Sequence, residues 1–197
     1  KTHESPLKLT RSDVVDQRWG RLFFNRSVKE LPLKNLVHII QEDTLLLIPE
    51  IFLDPENGNN LVFFIDSLNR NVKTIVKSRL IINEDKILLD SVQIKAKVPS
   101  NTDITFLEIK KPGKTLTLNP DKDGGPPVEI ILSRPVKKYC PLFNYTLTKN
   151  DTDTLAMNII WETPMKINIL PKKGWEENLI YSLTLESLDT LRYVSLE

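Results

Sequence analysis

The stretch Leu22-Phe23-Phe24-Asn25-Arg26-Ser27-Val28-Lys29 returns in altered letters as Ile130-Ile131-Leu132-Ser133-Arg134-Pro135-Val136-Lys137. The offset is 108 residues (130 − 22), and all eight positions match in kind: three apolar residues, a short polar residue, Arg, a turn residue, Val and Lys. The match resumes with one residue inserted, because Pro32-Leu33-Lys34-Asn35 and Pro141-Leu142-Phe143-Asn144 lie 109 apart (141 − 32). Consecutive apolar residues ending in a polar turn read as a strand buried on both sides, then a turn and a second strand. The chain therefore holds two copies of one all-strand unit.

Around this repeat, the 197 residues divide naturally into two domains of roughly 100 each, a size sufficient for a hydrophobic core. Pro99-Ser100-Asn101-Thr102-Asp103 has linker composition. The expected domains are residues 1–102 and 103–197. With 40% apolar and 27% charged residues, the composition is that of an ordinary globular protein rather than a disordered or membrane one. The 27 basic and 26 acidic residues nearly cancel, which argues against nucleic acid as a partner. No apolar run approaches the roughly 20 residues of a spanning helix. Lys1-Thr2-His3-Glu4 does not itself open a signal peptide, which leaves room for one removed upstream. A single cysteine, Cys140, excludes an intrachain disulfide and suits either cytosol or a cysteine-avoiding bacterial exterior.

Along the first copy, Leu7 and Leu9 predict an edge strand followed by a loop at Arg11-Ser12-Asp13. Asn35 to Ile40 alternates, and Thr44 to Leu53 is Leu- and Ile-rich but must bend, or lie at a sheet edge, at Pro49. Asp54-Pro55-Glu56-Asn57-Gly58-Asn59-Asn60 is a turn leading into the strand Leu61 to Ile65. Residues 72–82 and 86–98 predict two long hairpin strands, with a bulge near Asp90 where the two-residue period slips. In the second copy, strands are expected at 104–109, 155–161, 165–169 and 180–185, with a return through Leu116 and Leu118 and a strand face shared by Phe143, Tyr145 and Leu147. Nothing recurs at helical spacing beyond one turn at Trp175-Glu176-Glu177-Asn178. Thirteen prolines against six glycines, with short strands about every ten residues, predict β-sandwiches.

The segment Ile130 to Lys137 also resembles the Ser-x-Pro-Val strand motif of bacterial Ig-like domains of the S-layer (SbsA) type. Ile169-Leu170-Pro171, then Trp175, then Tyr181-Ser182-Leu183-Thr184-Leu185 is similar to that family's second landmark. The first copy departs from the pattern, with Ser27 in place of the proline and no Tyr-x-Leu-x-Leu segment. The resemblance implies an all-β tandem of two Ig-like β-sandwich domains in a bacterial cell-envelope or secreted protein, without shared catalytic residues. A non-enzymatic spacer with a protein-interaction surface, extracytoplasmic in location, is the function it implies.

Candidate chemistry is sparse. His38 sits between Val37 and Ile39 in a strand, and Cys140 follows two lysines in a loop but lacks a second cysteine or histidine partner. No catalytic residue and no cofactor is expected. Asn119-Pro120-Asp121-Lys122-Asp123-Gly124 places oxygen ligands at alternate positions like the first half of a calcium loop, so Asn119, Asp121 and Asp123 are the metal candidates, against ordinary loop chemistry. The glutamate of such a loop is displaced, with Ile130 in the twelfth place and Glu129 before it. Trp19, Trp161 and Trp175 pack in cores or, if coplanar and exposed, would stack on a glycan. Arg26 and Arg134, equivalent in the repeat, read as structural. The rival functions are a carbohydrate-binding or calcium-dependent adhesive module, and an accessory pair from a larger enzyme.

Overall fold

The structure, a computed structural model, describes residues 6–28, 32–84, 86–100, 107–113, 116–118, 125–136, 143–150, 152–187 and 194–195. The chain forms two compact units, Lys1–Ile104 and Thr105–Glu197. The expected boundary between residues 102 and 103 lies outside the described residues.

The first unit contains β1 (Leu9–Val14), β2 (Trp19–Phe24), β3 (Val37–Gln41), β4 (Leu45–Leu47), β5 (Glu50–Leu53), β6 (Leu61–Phe64), β7 (Thr74–Ser78), β8 (Ile81–Asn83), β9 (Lys86–Leu89) and β10 (Gln93–Ala96). Two four-stranded antiparallel sheets result, ordered β1-β2-β6-β5 and β10-β7-β3-β4, with β8 and β9 a separate hairpin. Lettered by position, the sheets are A-B-E-D and G-F-C-C′, the immunoglobulin arrangement. The signature repeat is the end of strand B and the bend into C. Leu22 and Phe24 point inward to meet Ile39, Leu61, Phe63 and Val76 in one core, because alternate residues of each strand share a face.

The second unit contains β11 (Ile109–Lys111), β12 (Val128–Leu132), β13 (Phe143–Lys149), β14 (Asp153–Thr154), β15 (Met157–Thr163), β16 (Lys166–Pro171), β17 (Tyr181–Ser187) and β18 (Val194–Ser195). Its sheets, β11-β12-β16-β15 and β14-β13-β17-β18, repeat the same order, A-B-E-D and C′-C-F-G. Ile130, Leu132, Leu147, Ile167, Ile169 and Leu185 form a second, separate core. The chain is thus all-β, a tandem of two Ig-like sandwiches.

Several local expectations change. Strand A of the first unit runs through Arg11-Ser12-Asp13 instead of looping there, because those residues alternate on a wet edge. The bend expected at Pro49 is present, and it carries the chain from C′ in one sheet to D in the other, so one apolar run yields two strands. The long hairpin near Asp90 is interrupted rather than bulged. Ser78, fully buried, donates its hydroxyl to Asp90 O (2.7 Å) and accepts the Val92 N–H (2.9 Å), which satisfies the broken ladder. Leu116 and Leu118 are not in a strand, and residues 177–178 make a turn without a helix. The Pro-Leu-x-Asn match also fails in register: Asn35 has a positive φ (57°) before strand C, whereas Asn144 lies within β13. Gln41 and Lys149 are the equivalent ends of C, each followed by a positive-φ residue, Glu42 or Asn150.

Candidate functional site

Both copies of the signature place the short polar residue where it fastens strand A. Asn25 donates its N–H to Lys8 O (3.1 Å) and accepts the Lys8 N–H on Oδ1 (2.8 Å). Ser133 does the same to Glu108, donating to its carbonyl (2.8 Å) and accepting its N–H on Oγ (2.9 Å). Two residues on, the A–B ladder shifts register in each unit, between Leu9 and Arg11 and between Ile109 and Lys111. In each clamp the side-chain oxygen takes the strand A N–H that a backbone carbonyl accepts in a regular ladder, just before the bulge. Arg26 and Arg134 stand half-buried in the equivalent bends.

Strand C is tied to the E–F connection in both units, by different chemistry. In the first, the fully buried Gln41 accepts the Asn69 N–H (2.9 Å) and donates to both Asn69 O (3.0 Å) and Thr74 Oγ1 (2.9 Å). In the second, Lys149 pairs with Glu176 at 2.9 Å, which raises the Lys149 pKa. Tyr181 heads strand F and accepts the Glu176 N–H on its hydroxyl (3.0 Å), the geometry of a tyrosine corner.

The outer faces of the two A-B-E-D sheets diverge. On the first, Trp19, Arg21 and Phe23 alternate with the inward Leu22 and Phe24. Arg21 lies over the Trp19 ring (5.2 Å), and Arg11 over Phe23 (4.0 Å). Arg21 Nε also donates to Asp54 Oδ2 (3.1 Å), while Asp54 Oδ1 accepts the Glu56 N–H (2.9 Å). Asp54 is only 4% exposed, and its two carboxylate oxygens divide the work: Oδ2 ties the D–E loop to strand B and Oδ1 closes the loop on itself. On the second unit the corresponding face is ionic: Lys166 pairs with Glu129 (2.6 Å) and Glu162 (3.0 Å), and Asn168 donates to Glu162. These carboxylates raise the Lys166 pKa, Glu129 first, and Lys166 lowers that of Glu162.

The three tryptophans have different surroundings. Trp19 is 4% exposed beneath Arg21, and Trp175, 7% exposed, belongs to the second core. Trp175 Nε1 donates to Pro126 O (2.9 Å), and its ring meets Tyr181 edge-on at 4.9 Å. Trp161 is half-buried against the same core. Burial leaves Trp19 and Trp175 no face for a sugar, because the core and Arg21 occupy their rings. Among the described residues, Trp19 Nε1 has no hydrogen-bond partner. His38 sits half-buried in β3 opposite Lys77. Cys140, Asn119, Asp121 and Asp123 lie outside the described residues. Among the described residues, no three His, Cys, Asp or Glu side chains group to hold a metal, and no helix is long and apolar enough to cross a membrane. Gln41, Asp54 and the Asn25/Ser133 clamp escaped sequence reasoning; only the repeat hinted at the last.

No family model matches the sequence, and no curated protein matches it. Among solved structures, the chain is similar to the S-layer protein rSbsC(31-844), with a TM-score of 0.45 and 13% identity, covering 98% of this chain and 26% of that one. It is also similar to the N-terminal part of the bacterial S-layer protein SbsC, with a TM-score of 0.42 and 12% identity, covering 97% of this chain and 42% of that one. A tandem from titin has a TM-score of 0.25 and 9% identity, covering 92% of this chain and 60% of that one. The chain therefore spans less than two thirds of the length of each.

Proposed function

We propose that this chain is a non-enzymatic tandem of Ig-like modules from a bacterial cell-envelope or secreted protein, serving as spacer and protein-interaction surface. One observation carries the reading: the two units share their internal fastenings while their outer faces differ. The A–B bulge and its Asn25 or Ser133 clamp are repeated, yet one A-B-E-D face is aromatic and arginine-rich and the other ionic. A duplicated scaffold with divergent surfaces suits modules that set distance and present contacts, because loops and faces can vary without disturbing the core. The SbsA-type motif at Ser133-Arg134-Pro135-Val136 supports the envelope setting.

Protease shaving of intact cells that produce the parent polypeptide tests the location. The envelope reading requires cleavage of this segment from outside, and recovery of the segment only in cytosol overturns it. Titration with calcium and with a glycan panel tests the role. Saturable binding to either, lost on Asp121→Ala for calcium or on Trp161→Ala for a glycan, replaces the spacer reading with an adhesive one.

A further inference from the structure

We infer that Asn57-Gly58, in the D–E loop of the first unit, is a site of spontaneous backbone modification, where the chain closes a succinimide on Asn57 and water opens it to aspartate or isoaspartate. This goes beyond the proposed function and requires neither an enzyme nor a bound partner. The attacking group is the main-chain nitrogen of the residue after the asparagine, and a glycine there keeps the approach open because it has no Cβ. Of the six glycines in the chain, only Gly58 follows an asparagine. Asn57 is exposed to the water that the reaction consumes.

The hydrogen bonds of the loop single out the two reacting groups. Asp54 N–H donates to Asn60 O (3.0 Å), Glu56 N–H to Asp54 Oδ1 (2.9 Å), Asn57 N–H to Asp54 O (3.2 Å), Asn59 N–H to Asn57 Oδ1 (3.1 Å) and Asn60 N–H to Asn57 O (2.9 Å). Pro55 has no N–H. Among the described residues, the Gly58 N–H is therefore the one in this loop without an acceptor, and its proton can pass to water or hydroxide without breaking a bond of the fold. The Asn59 N–H meanwhile sits on the carbonyl oxygen that becomes negative as Gly58 N adds to Asn57 Cγ, which is how an oxyanion is stabilised.

The step balances with water alone. As the N–Cγ bond forms, the Gly58 proton goes to solvent; as the Cγ–Nδ2 bond breaks, Nδ2 leaves as ammonia with a proton taken from solvent. Water then splits the ring at Cγ to give aspartate, or at the main-chain carbonyl of residue 57 to give isoaspartate. Either product adds a negative charge beside Glu56. Isoaspartate also turns the carbonyl that accepts the Asn60 N–H into a free carboxylate and lengthens the backbone by one carbon, so the turn from Asn57 to Asn60 opens. The ends of the loop stay fixed, because Leu53 pairs with Leu61 and Arg21 holds the buried Asp54.

Incubation of the folded chain at mildly alkaline pH, followed by peptide mass mapping and enzymatic methylation of isoaspartate, tests this. The expected result is a gain of about one dalton in the peptide holding Asn57, at least about tenfold faster than at any other described asparagine and faster as pH rises. Gly58 does not take a positive φ, so Gly58→Ala fits the loop, and it should slow the conversion at least about tenfold. Unfolding the chain in denaturant should change the rate at Asn57 by less than about tenfold, since the fold leaves the nucleophile free. The isoaspartate fraction should unfold at a lower denaturant midpoint than Asn57→Asp, which carries the charge but keeps the turn carbonyl. An Asn57 that stays intact while other asparagines convert overturns the inference, as does a rate that ignores Gly58→Ala or stronger protection by the fold. Equal midpoints overturn the opening of the turn.

Discussion

Gly20 shows how closely one residue can be specified by its surroundings. A Cβ there would lie 2.5 Å from Phe63 Cε1 and closer still to the Asp13 carbonyl, so strands A and E both approach the backbone of B. Gly20→Ala should destabilise the first unit by about 3 kcal/mol, read as a lower denaturant midpoint with the slope unchanged. Tyr145 is the corresponding probe in the second unit. Burial pushes its phenol from 10.0 up to about 12, against a smaller opposing effect of its hydrogen bond with Trp161. A raised folded-state pKa means that the folded protein keeps a proton that the unfolded chain releases. Its contribution is therefore fully present below pH 10.0 and falls away as pH rises toward about 12. Lys149 and Lys166, both raised by carboxylate partners, act with the same sign at high pH. Tyr145→Phe should consequently flatten, without abolishing, the alkaline loss of stability seen by denaturant titration across that window. An unchanged slope would show that the phenol is solvated in both states.

At the scale of strands, the two A–B clamps are interchangeable parts. Each offers one oxygen and one backbone N–H to the same place on strand A, two residues before a register shift. Asn25→Ala and Ser133→Ala each hand an exposed N–H of strand A to water, which should cost about 0.5–1 kcal/mol. Asn25→Ser should restore most of that loss and fall short by the bond that Asn25 Nδ2 gives to Pro6 O (3.2 Å). Chemical denaturation of the three variants checks the order, and equal losses for Ser and Ala would refute equivalence. The clamp also marks how far sequence reading reaches. Strands B and E were legible because burial on both sides leaves unbroken apolar runs, as in Leu61 to Phe64. The equivalence of the copies was legible from the Asn25 and Ser133 positions. Strand A was legible only at its start, because the outward Arg11 and Asp13 that continue it look like loop residues, and the breaks at Asp90 to Val92, where a lone serine replaces the ladder, were not legible. Gln41 was invisible for a related reason: a polar residue completing an alternating strand gives no sign that its amide is fully buried and bound to a distant loop. Burial of Trp19 on the outer face depends on Arg21 folding over it, a contact that strand periodicity does not encode.

At the scale of the molecule, stability should be a property of each sandwich separately, since the two cores share no residue. Trp175→Ala removes a ring that fills the second core, caps Pro126 O and supports Tyr181, and should cost about 3–5 kcal/mol there. Gly20→Ala strains only the first. Calorimetry of the wild-type chain should accordingly resolve into two transitions, with Gly20→Ala lowering one and Trp175→Ala lowering the other. The double variant should show both shifts undiminished, because energetic effects add when sites share no partners. A single cooperative transition, displaced as a whole by either substitution, would mean that the sandwiches stabilise one another. Independent transitions would instead place the junction's behaviour in the linker composition near Pro99, where proline restricts the chain and its polar neighbours do not.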